Sequence, residues 1–81
     1  ALARAVEIRE SSITRPLVRL SPRQHDALQW AAEGLTVDEI ADRLGVSIHT
    51  ADTHLRAIRE KLGVTSTVRA VAEGFRIGLI A

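Results

Sequence analysis

Between Ser21 and Gly78 one device recurs four times: a hydroxyl-bearing residue opens an amphipathic stretch and a glycine closes it. The pairs are Ser21 with Gly34, Thr36 with Gly45, Ser47 with Gly63, and Ser66 with Gly78. A serine or threonine at the N-cap accepts a hydrogen bond from an otherwise unpaired amide, and glycine just past the last turn tolerates the left-handed backbone there. In Ser21-Pro22-Arg23-Gln24 the cap is joined by a proline at the first helical position and a Gln at N3, a capping box. Thr36-Val37-Asp38-Glu39 is a second. No stretch alternates with a strand period, so the chain is expected to be all-α, a four-helix bundle.

The apolar residues fall on faces that agree with this punctuation. The first helix is expected to run to about Glu33, with Gln24, Ala27, Leu28 and Ala31 on one face. Trp30 lies off that stripe, suited to packing at the edge of the core or to a contact with another domain or a second copy. The second helix, ending at Leu44, puts Val37, Ile40, Ala41 and Leu44 together and turns Asp38, Asp42 and Arg43 away. The third carries Ala51, Leu55, Ile58 and Leu62. In the fourth, expected to end near Gly78, Arg69, Glu73 and Arg76 form a narrow polar strip. Val68, Ala70, Val71, Ala72, Phe75 and Ile77 occupy most of the rest, more apolar circumference than one small core needs. Burial between the first and third helices is one explanation, and a second packing face, for a dimer or a neighbouring domain, is the other.

With 81 residues there is material for one modest core and no second. Trp30 and Phe75 are the sole aromatics, a mix that favours aliphatic helix packing over a β-sandwich. No apolar run approaches the ~20 residues needed to cross a bilayer, no signal-peptide pattern is visible, and cysteine is absent. The chain starts at Ala1, so it reads as a piece of a larger, cytoplasmic protein. Residues 1–19 have a weak helical start (Leu2, Val6, Ile13) interrupted at Arg15-Pro16, which reads as a linker or the tail of an upstream domain, with the compact domain over 20–81. The net charge of +1 is unevenly spread. Asp26, Glu33, Asp38, Glu39 and Asp42 face only Arg23 in the first part of the domain, whereas Arg43, Arg56, Arg59, Lys61 and Arg69 outweigh Asp52 and Glu60 around the third helix.

Two helices joined through Leu44-Gly45-Val46-Ser47 make a helix-turn-helix. Ala41 is small enough for a close crossing, and Val46 is expected to plug the angle between the helices. Holding Ala51 and Leu55 on the core frees the opposite face, where the wheel puts His49, Asp52, Thr53, Arg56 and Glu60, with Arg59 at its edge. Such a helix fits the major groove of DNA, its first turns reaching base edges. Ser47 and Thr50 hydroxyls suit phosphate oxygens, as do the helix N-terminal amides. The candidate DNA-binding set is therefore Ser47, His49, Thr50, Asp52, Thr53, Arg56, Arg59 and Lys61. His54 flanks the stripe and suits packing or a backbone bond better than phosphate. His25, His49 and His54 show no metal-ligand spacing, and Ser47 and Thr50 lack a base and orienter, so no metal, cofactor or enzymatic role is expected.

The run "LSPRQHDALQWAAEGLTVDEIADRLGVSIHTADTHLRAIREKLGVTSTVRAVAEGFRIGLI" resembles the LuxR-type (GerE or NarL/FixJ-type) DNA-binding domain. The landmarks are Leu20-Ser21-Pro22-Arg23, Ala32-Glu33-Gly34, Glu39-Ile40-Ala41, Leu44-Gly45-Val46-Ser47, Thr50, His54, Lys61-Leu62-Gly63-Val64 and Gly78-Leu79-Ile80, in order over residues 20–80. The resemblance implies a four-helix output domain of a bacterial transcription regulator, binding inverted-repeat double-stranded DNA as a homodimer joined through the fourth helix. Val68, Ala72, Glu73 and Arg76 are the expected dimer contacts. The acidic residues of 26–42 read as a solvated face, with RNA polymerase as a possible further partner. Trp30 in "QWAAEG" resembles the quorum-sensing branch, whose upstream domain binds acyl-homoserine lactones; response regulators with receiver domains carry the same output domain.

The departures from the family pattern are informative. Gln24 stands where Glu is usual, Ala51 where Val is common, and Thr67 where Arg is frequent. Asp52 stands at a base-reaching position commonly Lys or Arg. Three readings of it stand: a hydrogen bond accepted from cytosine N4, an i,i+4 pair that orients Arg56, or an acidic residue tolerated near a helix N-terminus. Arg56 either contacts DNA or pairs with Glu60 in solvent. Two other readings of the whole domain remain open, a sigma region-4-like promoter-binding domain and a protein-interaction module that has lost DNA binding.

Overall fold

A computed structural model describes residues 18–81. The linker or upstream tail expected over 1–19 falls almost entirely outside the described residues. Residues 18–20 lead in without regular structure, and the described residues then form four helices and no strand. They are α1 (Pro22–Ala32), α2 (Val37–Leu44), α3 (Ile48–Leu62) and α4 (Thr67–Arg76).

Each helix begins at the expected hydroxyl. Ser21 and Thr36 form complete capping boxes with Gln24 and Glu39, while Ser47 and Ser66 accept from the amides of Thr50 and Arg69. At the other end of α2, Gly45 takes φ 71° and ψ 35°, and the amide of Val46 reaches back to the carbonyl of Ala41 over 3.0 Å. The same closure recurs after α3, where Val64 donates to Arg59. These bonds satisfy carbonyls the helix leaves unpaired and turn the chain sharply without a long loop.

Leu28, Ile40 and Ile58 are the largest fully buried side chains, each worth roughly 1.5–3 kcal/mol of apolar burial. Around them close Ala27, Ala41, Leu44, Ala51, Leu55, Ala70 and Ile80, with Val46 packed against the cluster as the expected plug of the helix-turn-helix. α3 packs on both α1 and α2, and α4 packs on α1 and α3. Trp30 sits half-buried at the edge of the core, with the Arg43 guanidinium 5.9 Å from its ring centroid. That is within cation–π reach.

The last helix closes at Gly78 as expected: α4 ends at Arg76, Ile77 is its exposed C-cap, and Gly78 takes the left-handed φ of 83°. Leu79 and Ile80 fold back onto the carbonyl of Gly74, which brings Ile80 into the core. Gly74 makes this possible. A Cβ built there would lie 3.0 Å from Leu28 Cδ2 and 3.3 Å from Ile80 Cγ1. Of the broad apolar surface of α4, Ala70 is buried and Val71 half-buried, while Val68 is 80% and Phe75 49% exposed. Simple burial between α1 and α3 therefore accounts for only part of that surface.

Candidate nucleic-acid interface

The turn between α2 and α3 sets the direction of the candidate reading helix. Besides the Gly45 closure, Arg23 of α1 donates from Nη1 to the carbonyl oxygen of Leu44 over 2.7 Å. That carbonyl is the last of α2, so a side chain from the first helix holds the end of the second beside the turn. With Ala51, Leu55 and Ile58 buried at one side, α3 turns His49, Thr53, Arg56 and Glu60 fully outward and leaves Asp52 half-buried.

The expected DNA-binding residues divide into groups by what already occupies them. Ser47 Oγ accepts from the amide of Thr50 and donates to Thr50 Oγ1 over 3.1 Å, so its hydroxyl hydrogen is engaged in the cap. Thr50 is half-buried, and its hydroxyl donates to no partner among the described residues. Thr53 turns its hydroxyl onto the carbonyl of His49 at 3.0 Å. Arg56 donates from Nη2 to Asp52 Oδ2 at 3.3 Å, with the two side chains 56% and 48% exposed. Glu60, the alternative partner of Arg56, makes no bond with it.

Farther along the helix two cations bond other parts of the domain. Arg59 is half-buried and donates to Thr67 Oγ1 over 3.2 Å, which ties the end of α3 to the start of α4. Lys61 Nζ donates to the carbonyl of Arg19 at 2.8 Å and to Gln24 Oε1 at 2.7 Å. Two of the three ammonium hydrogens of Lys61 are thus spent within the domain. Thr67 and Gln24, two departures from the family pattern, are the partners of these two cations. His54 is half-buried on the flank of the stripe and His49 is exposed.

One outward residue lies beyond the face drawn from the helical wheel. Ile48, the first residue of α3, is 51% exposed and outside the core. Ile48 stands three and seven residues before Ala51 and Leu55, on the flank of the apolar stripe, so helical spacing alone did not mark it as outward.

On α4, the Arg76 guanidinium bonds the Glu73 carboxylate through both Nε and Nη2. This neighbour holds the Glu73 carboxyl below its ordinary range. Val68 and Ala72, the other expected dimer contacts, are exposed on the side facing away from Ala70 and Gly74. Among the described residues no three His, Asp or Glu side chains gather as a metal site, and no helix is long and apolar enough to cross a membrane.

A helix braced by a second and joined to it by a left-handed glycine, with a polar outer face open to solvent, defines a helix-turn-helix domain of the DNA-binding class. The model for "Bacterial regulatory proteins, luxR family" matches residues 18–73, and the chain belongs to that family. It is 35% identical over 65 residues to the transcriptional activator protein BjaR1 of Bradyrhizobium diazoefficiens, covering 80% of this chain and 27% of that protein. It is 39% identical over 61 residues to the quorum sensing-dependent transcriptional regulator VjbR of Brucella ovis, covering 75% of this chain and 24% of that one. The structure of the transcription factor GerE superimposes with a TM-score of 0.72 at 26% identity, over 76% of this chain and 92% of GerE. The chain thus spans about a quarter of the length of these curated relatives and nearly all of GerE. Family membership replaces the sigma region-4-like reading.

Proposed function

We propose that this domain is the sequence-specific output module of a bacterial transcription regulator in the cytoplasm, bound to an inverted-repeat operator as a homodimer. α3 enters the major groove, α2 braces it, and α4 joins two copies about a two-fold axis. Half-sites are then about one helical turn apart. The observation that carries this reading is the outward face of α3, with Arg56 free of the core and the turn beneath it closed by Gly45 and by Arg23.

His49, Asp52, Thr53 and Arg56 are the residues assigned to the groove, and Ser47 and Thr50 to phosphates at the helix N-terminus. Arg59 and Lys61 are assigned to the field around the DNA backbone, beside their bonds within the domain. Val68, Ala72, Glu73 and Arg76 are assigned to the dimer contact; the exposure of Val68 and the apolar stripe it shares with Ala72 support this. The names of the relatives support a place downstream of a quorum-sensing signal, with the sensory domain elsewhere in the longer protein. No catalytic activity is proposed.

Selection from a pool of randomised duplexes, followed by a salt series on the enriched sequence, tests this. Specific binding should weaken steeply as salt rises, as expected where phosphate contacts release counterions. If no duplex is retained even at low salt, the domain is instead a protein-interaction module.

A further inference from the structure

We propose that the operator is read by one strip of α3, in which Ile48 packs on a thymine methyl while Asp52 positions Arg56 against a guanine. The proposal rests on the DNA-binding reading above and goes beyond it by naming the bases and dividing the roles.

Ile48, Asp52 and Arg56 are spaced at i, i+4 and i+8, so they follow one another along α3 in a strip that runs from the flank of the apolar stripe to the outer face. Four of the other candidates at this helix are already engaged. The hydroxyl hydrogens of Ser47 and Thr53 are engaged within the helix, Arg59 is turned to Thr67, and Lys61 to Arg19 and Gln24. Among the described residues, the groups left free to meet base edges are Ile48, His49, the Thr50 hydroxyl and the Asp52–Arg56 couple.

At the first turn of α3 an aliphatic side chain is left half in water, outside the buried cluster. Ile48 is 51% exposed, whereas Ile40 and Ile58 are fully buried. In the major groove the sole apolar group on a base edge is the C5-methyl of thymine, which such a side chain fits. Arginine's planar fork matches the O6 and N7 acceptors of guanine. Free in water, that fork samples many rotamers. The single bond from Asp52 Oδ2 to Nη2 limits them and leaves Nε and Nη1 unengaged. An exposed i,i+4 pair adds little to stability, so its consequence lies in where the guanidinium points. A carboxylate near phosphates also lowers nonspecific affinity, which widens the gap between right and wrong sites.

The experiment uses the 81-residue chain. A duplex is enriched from a randomised pool, each thymine is replaced in turn by deoxyuridine, and each G·C pair by A·T. Affinities are read by fluorescence anisotropy. At one thymine, loss of the methyl should weaken wild type about fourfold, the worth of one buried methyl group. Ile48→Ala should be blind to that change. At one guanine, wild type should lose about 5- to 150-fold, and Arg56→Ala should lose the preference. Asp52→Asn should relax the same guanine position, and Asp52→Glu, still able to reach Arg56 at i+4, should restore it; a merely structural carboxylate would do neither.

The proposal is overturned if uracil is tolerated at every thymine, or if Ile48→Ala keeps the thymine preference. It is also overturned if Asp52→Asn leaves the guanine preference intact or alters a cytosine position instead, which would make the carboxylate a direct reader. Failure of wild type to enrich any duplex sinks the DNA-binding reading together with this one, whereas enrichment without these patterns sinks this one alone.

Discussion

The guanidinium of Arg23 bonds the carbonyl oxygen of Leu44 over 2.7 Å, across a separation of 21 residues. It thereby joins the first turn of α1 to the last residue of α2, directly before the helix-turn-helix turn. The end of α2 is thus fixed by a charge-assisted bond as well as by its own Gly45 closure.

Arg23→Ala should lower stability by about 1 kcal/mol, the net value of a bond to a charged group partly open to water. Urea denaturation checks this. An unchanged midpoint would mean that Gly45 alone holds the turn.

Gly45 sits at φ 71°. A Cβ there meets nothing, so the penalty for Gly45→Ala is conformational alone, roughly 1–2 kcal/mol. Gly45→Asn should be milder, because asparagine tolerates the left-handed region better. Thermal unfolding of the two variants should rank them in that order.

Gly74 has the opposite problem, an ordinary helical backbone with no room. Its Cβ would stand 3.0 Å from the fully buried Leu28. Gly74→Val should destabilise by about 2 kcal/mol or more through overpacking, despite removing a glycine from a helix. A gain in thermal midpoint would show that Leu28 and Ile80 yield readily.

Val68→Arg places a charge at the start of the exposed apolar stripe of α4 and should leave the monomer fold intact, since Val68 is 80% exposed. Sedimentation with operator DNA should show the dimeric complex lost, together with a fall in affinity. Wild-type-like assembly would remove α4 from the interface.

Arg76 holds the Glu73 carboxyl below its ordinary value near 4.3. A carboxyl depressed on folding lends stability that is complete above the unfolded value and is lost as pH falls through the folded one. The stability difference between wild type and Glu73→Gln should stay constant from neutral pH to about pH 5 and shrink below that. A difference that grows on acidification would contradict the direction of the shift.

Much of this molecule was legible before any coordinates, because helix caps and stripes are local. Ser21, Thr36, Ser47 and Ser66 open their helices as expected, and each caps an amide three residues ahead. Ala51, Leu55 and Ile58 bury along α3 because their spacing puts them on one face whatever the partner. The face opposite, and so the outward placement of His49, Thr53 and Arg56, followed from the same periodicity.

What the sequence by itself determined, then, was the number, type and phase of the helices, which depend on residues three or four apart. Only the tertiary structure decided which outward groups remain free. Lys61 finds Gln24 and Arg19 from 37 and 42 residues away, and Arg59 finds Thr67, so two cations expected beside Arg56 are bonded to other parts of the domain. Gly74 and Ile80 belong together for the same reason: the tail must fold back on α4 before a missing Cβ becomes a seat. Periodicity within one helix carries no information about a partner on another, whereas close packing of four helices settles every such pairing at once.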